Sequence, residues 1–102
     1  MSGIWTPGAT GPLDELVGRL LRMVERFKEE HALEAVEVEV ELFDGARYRL
    51  LSLSAEPGYG FLSLVPVAEP GEPPSALVVP IGAVKILRIG VPDPEQPFGF
   101  SL

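Results

Sequence analysis

Apolar and acidic residues alternate strictly over residues 36–42, which read VEVEVEL. A period of two with a single apolar face predicts a half-buried β-strand. The dipeptide Asp44-Gly45 follows and predicts a hairpin. A three-residue loop over residues 43–45 would place Gly45 at the left-handed bulge position. This register brings opposite charges together on one face and apolar side chains on the other, as Glu41–Arg47, Glu39–Arg49, Val40–Tyr48 and Val38–Leu50.

The segment before this strand has a different spacing of apolar residues. Apolar residues recur there at spacings of three and four, which predicts one amphipathic helix over residues 13–31. Pro12 suits the first turn of a helix, and Asp14 and Glu15 suit the positive end of the helix dipole. The apolar stripe consists of Leu13, Leu16, Val17, Leu20, Val24 and Phe27.

Turns rich in proline and glycine divide the rest of the chain. The five predicted strands cover residues 36–43, 46–55, 60–67, 76–81 and 84–91. Leu50 and Leu51 break the alternation of the second strand, which predicts a long, bent strand that passes from one layer to another. A turn is expected at residues 56–58. Residues 1–11 are predicted to be a flexible leader, residues 12–91 a single domain, and residues 92–102 a proline-rich C-terminal tail.

The length and the net charge of the chain limit the classes of function that it can have. The chain has 102 residues and a formal charge of −7, which fits one acidic domain without the positive field of a general nucleic-acid binder. It has neither a run of about 20 apolar residues nor a signal-peptide pattern, so we expect a cytoplasmic protein that does not contact membranes. Basic residues are mainly arginine, which together with frequent proline, glycine and alanine suggests a bacterial source.

No catalytic or cofactor-binding site can be recognised in the sequence. The chain lacks cysteine and has one histidine, His31, which excludes disulfides, thiolate sites and histidine-rich metal sites. Glu37, Glu39 and Glu41 form a row about 7 Å apart that is more simply explained as a solvated face than as a calcium site. We therefore predict no enzyme activity, no cofactor and no metal.

Two segments resemble the Sm-like family of small, strongly bent, SH3-type barrels. Residues 38–45 (VEVELFDG) look like the first strand and turn of that family. Residues 78–86 (VVPIGAVKI) resemble its fourth strand, tight turn and fifth strand. The resemblance spans residues 13–91 and implies an α+β, mostly β fold, in which a helix is followed by a five-stranded antiparallel barrel.

The RNA-binding residues of that family are missing. It pairs an Asp and an Asn near the third strand with an Arg-Gly or Lys-His at the turn between the last two strands. Here the corresponding stretches are Glu56–Tyr59 and Pro80–Ala83, which hold neither pair. We therefore expect no nucleic-acid partner.

The family's mode of assembly is compatible with this sequence. Sm-like domains form rings in which the fourth strand of one subunit pairs with the fifth strand of the next. The last two predicted strands are apolar and carry only two charges, Lys85 and Arg88. An open edge of this kind favours pairing with another chain. The predicted interface of a homo-oligomer comprises Leu77, Val79, Ile81, Val84, Ile86, Arg88, Phe98 and Phe100.

Capping of an edge by the segment Phe98–Leu102 is the alternative to self-association. The leading hypothesis for function is a non-enzymatic, self-associating binding or scaffolding module whose protein partner is unknown. An RNA-binding Sm-like protein and a small metal-dependent enzyme or metal-binding domain are the two other hypotheses.

Overall fold

A computed structural model describes residues 12–58, 60–95 and 99–101. One helix precedes five strands, and a short 3-10 helix connects the last two. The elements are α1 (Pro12–Glu30), β1 (Glu37–Leu42), β2 (Arg47–Gly58), β3 (Phe61–Pro66), β4 (Leu77–Pro80), the 3-10 helix (Ile81–Ala83) and β5 (Val84–Gly90).

The five strands form one antiparallel sheet in the order β4-β3-β2-β1-β5. The predicted helix and five antiparallel strands are confirmed, but the prediction of a closed barrel is wrong. β4 and β5 are the two edges of the sheet and do not pair with each other, since among the described residues β4 bonds only to β3 and β5 only to β1. β4 is four residues long and offers little backbone for closure.

The sheet is nevertheless strongly curved. In a flat sheet, strands at the two edges would lie at least about 19 Å apart, because neighbouring strands are spaced by about 4.8 Å. Here only the 3-10 helix Ile81–Ala83 separates the end of β4 from the start of β5. Four residue steps cover roughly 8 Å in a 3-10 helix and at most about 15 Å when extended. The two edges therefore approach each other at this end.

The helix ends one residue earlier than the predicted limit of His31, and its end is tightly hydrogen-bonded. The Ala32 N–H donates to the Glu29 carbonyl at 3.1 Å, and the Leu33 N–H donates to the Lys28 carbonyl at 2.9 Å. These two bonds form a Schellman motif. Ala32 occupies the left-handed position of the motif with φ +51°, where glycine is the usual residue.

The β1–β2 hairpin confirms the predicted register. Glu41 lies opposite Arg47, and Val38 lies opposite Leu50. The Gly45 N–H donates to the Leu42 carbonyl, and Gly45 has φ +90°, as the three-residue loop requires.

β2 is longer than predicted. Its first half pairs with β1 and its second half with β3. The predicted long strand is therefore confirmed, but β2 stays within one sheet and does not pass into a second layer. The turn expected at residues 56–58 is wrong, because β2 continues to Gly58, which pairs with Phe61. The register shifts between Ser54 and Gly58, and this irregular stretch accommodates Pro57 within the strand.

The core lies between the helix and one face of the curved sheet. Val17 and Val24 of the predicted helical stripe are buried, and they pack with the inward-facing residues of β1, β2 and β3. Phe100, far along the chain, completes this cluster. The strand residues of the buried cluster are Val38, Val40, Leu42, Leu50, Leu53, Ala55, Leu62 and Leu64.

Candidate functional site

The outward edge of β4 is short and apolar. The Ile81 N–H donates to the Gly60 carbonyl at 2.7 Å, so the N–H of Ile81 points toward β3. Backbone groups point to alternate sides along a strand, so Val79 and Leu77 also bond toward β3. Val78 therefore turns both its N–H and its carbonyl away from the sheet. The carbonyl of Pro80 also points outward, and proline contributes no donor.

The outward edge of β5 offers two residues. The Leu42 N–H donates to the Ala46 carbonyl across the hairpin, so alternate residues of β1, among them Glu39 and Glu41, bond toward β5. Their partners on β5 are Arg88 and Ile86. By the same alternation, Leu87 and Ile89 turn their backbone groups outward. Within the described ranges, no strand pairs with this side of β5.

The two charged side chains of β5 form ion pairs with the neighbouring strand β1. Lys85 Nζ lies 3.6 Å from Glu41 Oε2, and Arg88 Nη1 lies 3.2 Å from Glu39 Oε1. Charged side chains on an edge strand usually discourage pairing with another chain. Here both cations are held by glutamates of the neighbouring strand β1, so they leave the outward backbone of β5 accessible.

The predicted interface residues that the structure describes separate into three groups. The side chains of Leu77, Val79, Ile81 and Val84 pack partly against the core of their own chain. Ile86 and Arg88 are exposed on the outer face of the sheet. Phe98 lies outside the described residues. Phe100 is only 7% exposed and lies in the core.

The sequence did not single out the most exposed apolar residue of β4. Val78 is 54% exposed, and it stands opposite Ser63 of β3, beside the exposed Phe61. Apolar residues occupy both faces of this strand, so alternation alone could not tell which of them point outward.

No family model, curated protein or solved structure matches the chain.

The glutamate row of β1 is matched by cations on both neighbouring strands. Arg47 Nε lies 3.3 Å from Glu41 Oε1, and Arg49 Nη1 lies 3.5 Å from Glu37 Oε1. With Lys85 and Arg88 on the other side, each carboxylate of the row has at least one cation within 4 Å. The sequence predicted the Glu41–Arg47 pair, but it paired Arg49 with Glu39, whereas Arg49 reaches Glu37. It missed the pairs from β5, because the β1–β5 pairing joins residues distant in sequence.

Other polar groups of the described part do not converge on a site. His31 follows the helix and is exposed, with its ring 4.3 Å from that of Phe27. Ser54 and Ser63 face each other across β2 and β3 without a basic partner. Among the described residues, no group of three or more His, Asp or Glu side chains is arranged to hold a metal ion. No helix in that part of the chain combines the length and the apolar character needed to cross a bilayer.

Proposed function

We propose that this protein is a non-enzymatic scaffolding module of the Sm-like, SH3-type class, which self-associates by pairing the β4 edge of one copy with the β5 edge of the next. The observation that carries the proposal is that the sheet has two strand edges, on opposite sides, to which no further strand pairs in the part of the chain that the structure describes.

The two edges differ, so each copy pairs its β4 with the β5 of one neighbour and its β5 with the β4 of the other neighbour. A head-to-tail contact of this kind generates a ring when the rotation between copies closes and a filament when it does not. The curvature of the sheet brings the end of β4 toward the start of β5, which sets the two edges at an angle and favours a closed ring. Val78 supplies an N–H and a carbonyl, and Leu87 and Ile89 supply their counterparts.

The Sm-like class is supported by the order of elements. One helix comes first, five antiparallel strands follow, and the last two strands lie at opposite edges with only a 3-10 helix between them. That connection is also tied to the two hairpins. Ile81 bonds to Gly60 of the β2–β3 connection, and Phe43 of the β1–β2 loop bonds to Ala83.

A substitution at Val78 tests the role of the β4 edge. Val78→Pro removes the outward N–H and leaves the inward bonds of Leu77 and Val79 in place, since proline is tolerated on an edge strand. Val78→Ala is the matched control, because it shortens the same side chain and retains the N–H. Sedimentation velocity should show a lower mass for Val78→Pro and an unchanged mass for Val78→Ala. Circular dichroism and a cooperative thermal transition establish that both variants are folded. Equal masses for the two folded variants would contradict the proposal.

A further inference from the structure

The C-terminal segment Gly99–Ser101 lies in a groove between the start of β1 and the second half of β2. Val36 immediately precedes β1, and Leu51 follows the point where the pairing of β2 shifts from β1 to β3. The Phe100 N–H donates to the Val36 carbonyl at 2.8 Å, and the Ser101 N–H donates to the Leu51 carbonyl at 2.7 Å. The segment thus fills the gap that opens where β1 and β2 separate.

Three features of this contact are those of peptide recognition. Consecutive backbone N–H groups bond to the carbonyl of Val36, just before β1, and to that of Leu51 in β2, and such bonds are independent of side-chain identity. The ring of Phe100 is 7% exposed and forms part of the core cluster, so it is an aromatic anchor in a pocket. Gly99 sits so closely that a Cβ built on it would lie 2.9 Å from Ala35 Cβ and 3.1 Å from the Val36 carbonyl oxygen. The groove therefore selects glycine followed by an aromatic residue.

The connection to this segment is longer than the distance it covers. Gly90 pairs with Glu37, the residue next to Val36, so Gly99 lies within about 15 Å of Gly90 by ordinary strand spacings. Residues 91–98 join them, and nine residue steps can extend to roughly 30 Å. This surplus length is not needed to hold the segment in its own groove.

We infer that the groove between Val36 and Leu51 is a peptide-binding site, whose ligand is the Gly-Phe-Ser segment of this protein. The segment of the same chain occupies it in the single subunit, and the segment of a second copy can replace it. The site is separate from the β4 and β5 edges and does not depend on their pairing.

Cleavage of the connection in the folded protein tests the inference. A specific protease recognition sequence is inserted between Pro94 and Glu95, which lie in an exposed stretch, and the purified full chain is cut. A fluorescein-labelled peptide of residues 96–102 is then titrated into the cut protein, with fluorescence anisotropy as the readout. We expect saturable binding that excess unlabelled peptide reverses. The uncut protein should bind the same peptide much more weakly, because its own segment competes at an effective concentration in the millimolar range.

Variant peptides test the mode of recognition. A Gly99→Ala peptide should bind at least about tenfold more weakly, because its Cβ meets Ala35 and Val36. A Phe100→Ala peptide should lose at least as much, since it lacks the buried ring. Ser101→Ala is the matched control and should bind within about twofold of the original peptide, because Ser101 contributes its backbone N–H. Equal binding of the Gly99→Ala peptide would overturn the inference, as would absence of binding to cut protein with a native circular dichroism spectrum. Loss of that spectrum on cutting would also overturn it, because the segment would then be an integral part of the fold.

The intact chain provides a second readout. In full-length Gly99→Ala, hydrogen exchange of the Phe100 and Ser101 amides should accelerate at least about tenfold, while exchange within β1 remains unchanged. Unchanged exchange at Phe100 and Ser101 would overturn the inference, since the groove would then tolerate a side chain at position 99.

Discussion

Glu39 of β1 and Arg88 of β5 are 49 positions apart in the sequence, and their side chains meet at 3.2 Å between Oε1 and Nη1. The contact fixes the outer face of the sheet at its β5 edge, and it holds a cation of that edge over the neighbouring strand. Because Arg88 contacts β1, its side chain does not cover the side of β5 on which a partner strand would pair.

The strength of this pair is expected to be modest. The two side chains are 62% and 31% exposed, so solvent screens their attraction. A double-mutant cycle with Glu39→Gln and Arg88→Gln should give a coupling of about 0.2–1 kcal/mol by urea unfolding. The coupling should shrink when the measurement is repeated in about 1 M salt. A coupling that does not respond to salt would show that the pair is not electrostatic in origin.

The end of the helix offers a stabilising substitution. Ala32 adopts φ +51°, which costs a residue with a Cβ about 1–2 kcal/mol relative to glycine. Ala32→Gly relieves this cost, and the greater freedom of glycine in the unfolded chain offsets about 0.4–1 kcal/mol of it. We expect a net gain of about 0.5–1 kcal/mol in the free energy of unfolding, measured by chemical denaturation.

The control for this substitution is Ala76→Gly, at an exposed position without a positive φ. It should leave the free energy of unfolding unchanged or slightly lower it. A loss of stability in Ala32→Gly comparable to that in Ala76→Gly would contradict the Schellman arrangement.

Two adjacent leucines of β2 should respond very differently to truncation. Leu50 is 1% exposed and lies in the core, whereas Leu51 is 40% exposed. Leu50→Ala should lower the free energy of unfolding by about 2–5 kcal/mol through lost burial and a residual cavity. Leu51→Ala should cost less than about 1 kcal/mol. Similar midpoints of guanidinium unfolding for the two variants would contradict the assignment of Leu50 to the core and of Leu51 to the exposed face.

Absence of RNA binding is a further expectation. The chain carries a charge of −7, and four of its eight basic residues are held by glutamates of β1: Arg47, Arg49, Lys85 and Arg88. Poly-U titrated at low salt should give no change in fluorescence anisotropy. Saturable binding that weakens steeply as salt is raised would instead favour the RNA-binding hypothesis.

Local patterns were sufficient to predict much of the fold. The alternation over residues 36–42 and the turn at Gly45 specified the first hairpin, because charge pairing tests its register independently of apolar burial. The helical stripe likewise indicated that Val17 and Val24 face the core, although Leu16 of the same stripe is 39% exposed. Both signals arise between residues close in sequence.

Features that depend on distant residues were not predictable in the same way. The sequence did not indicate that β5 pairs with β1, so the contacts of Lys85 and Arg88 were missed. It placed Phe100 at an oligomer interface or over a sheet edge. In the structure, residues 99–101 bond to Val36 and Leu51, because a gap beside β2 offers unpaired carbonyls that no local pattern reveals. The closed barrel was expected from family resemblance and is replaced by an open, curved sheet.

The mass of the full chain in solution tests the central proposal most directly. Size-exclusion chromatography with static light scattering should be run over a wide range of protein concentrations. Self-association through the β4 and β5 edges predicts a mass that is a multiple of the 11.0 kDa subunit and that falls toward 11.0 kDa in Val78→Pro. A wild-type mass of 11.0 kDa at every concentration would contradict the proposal.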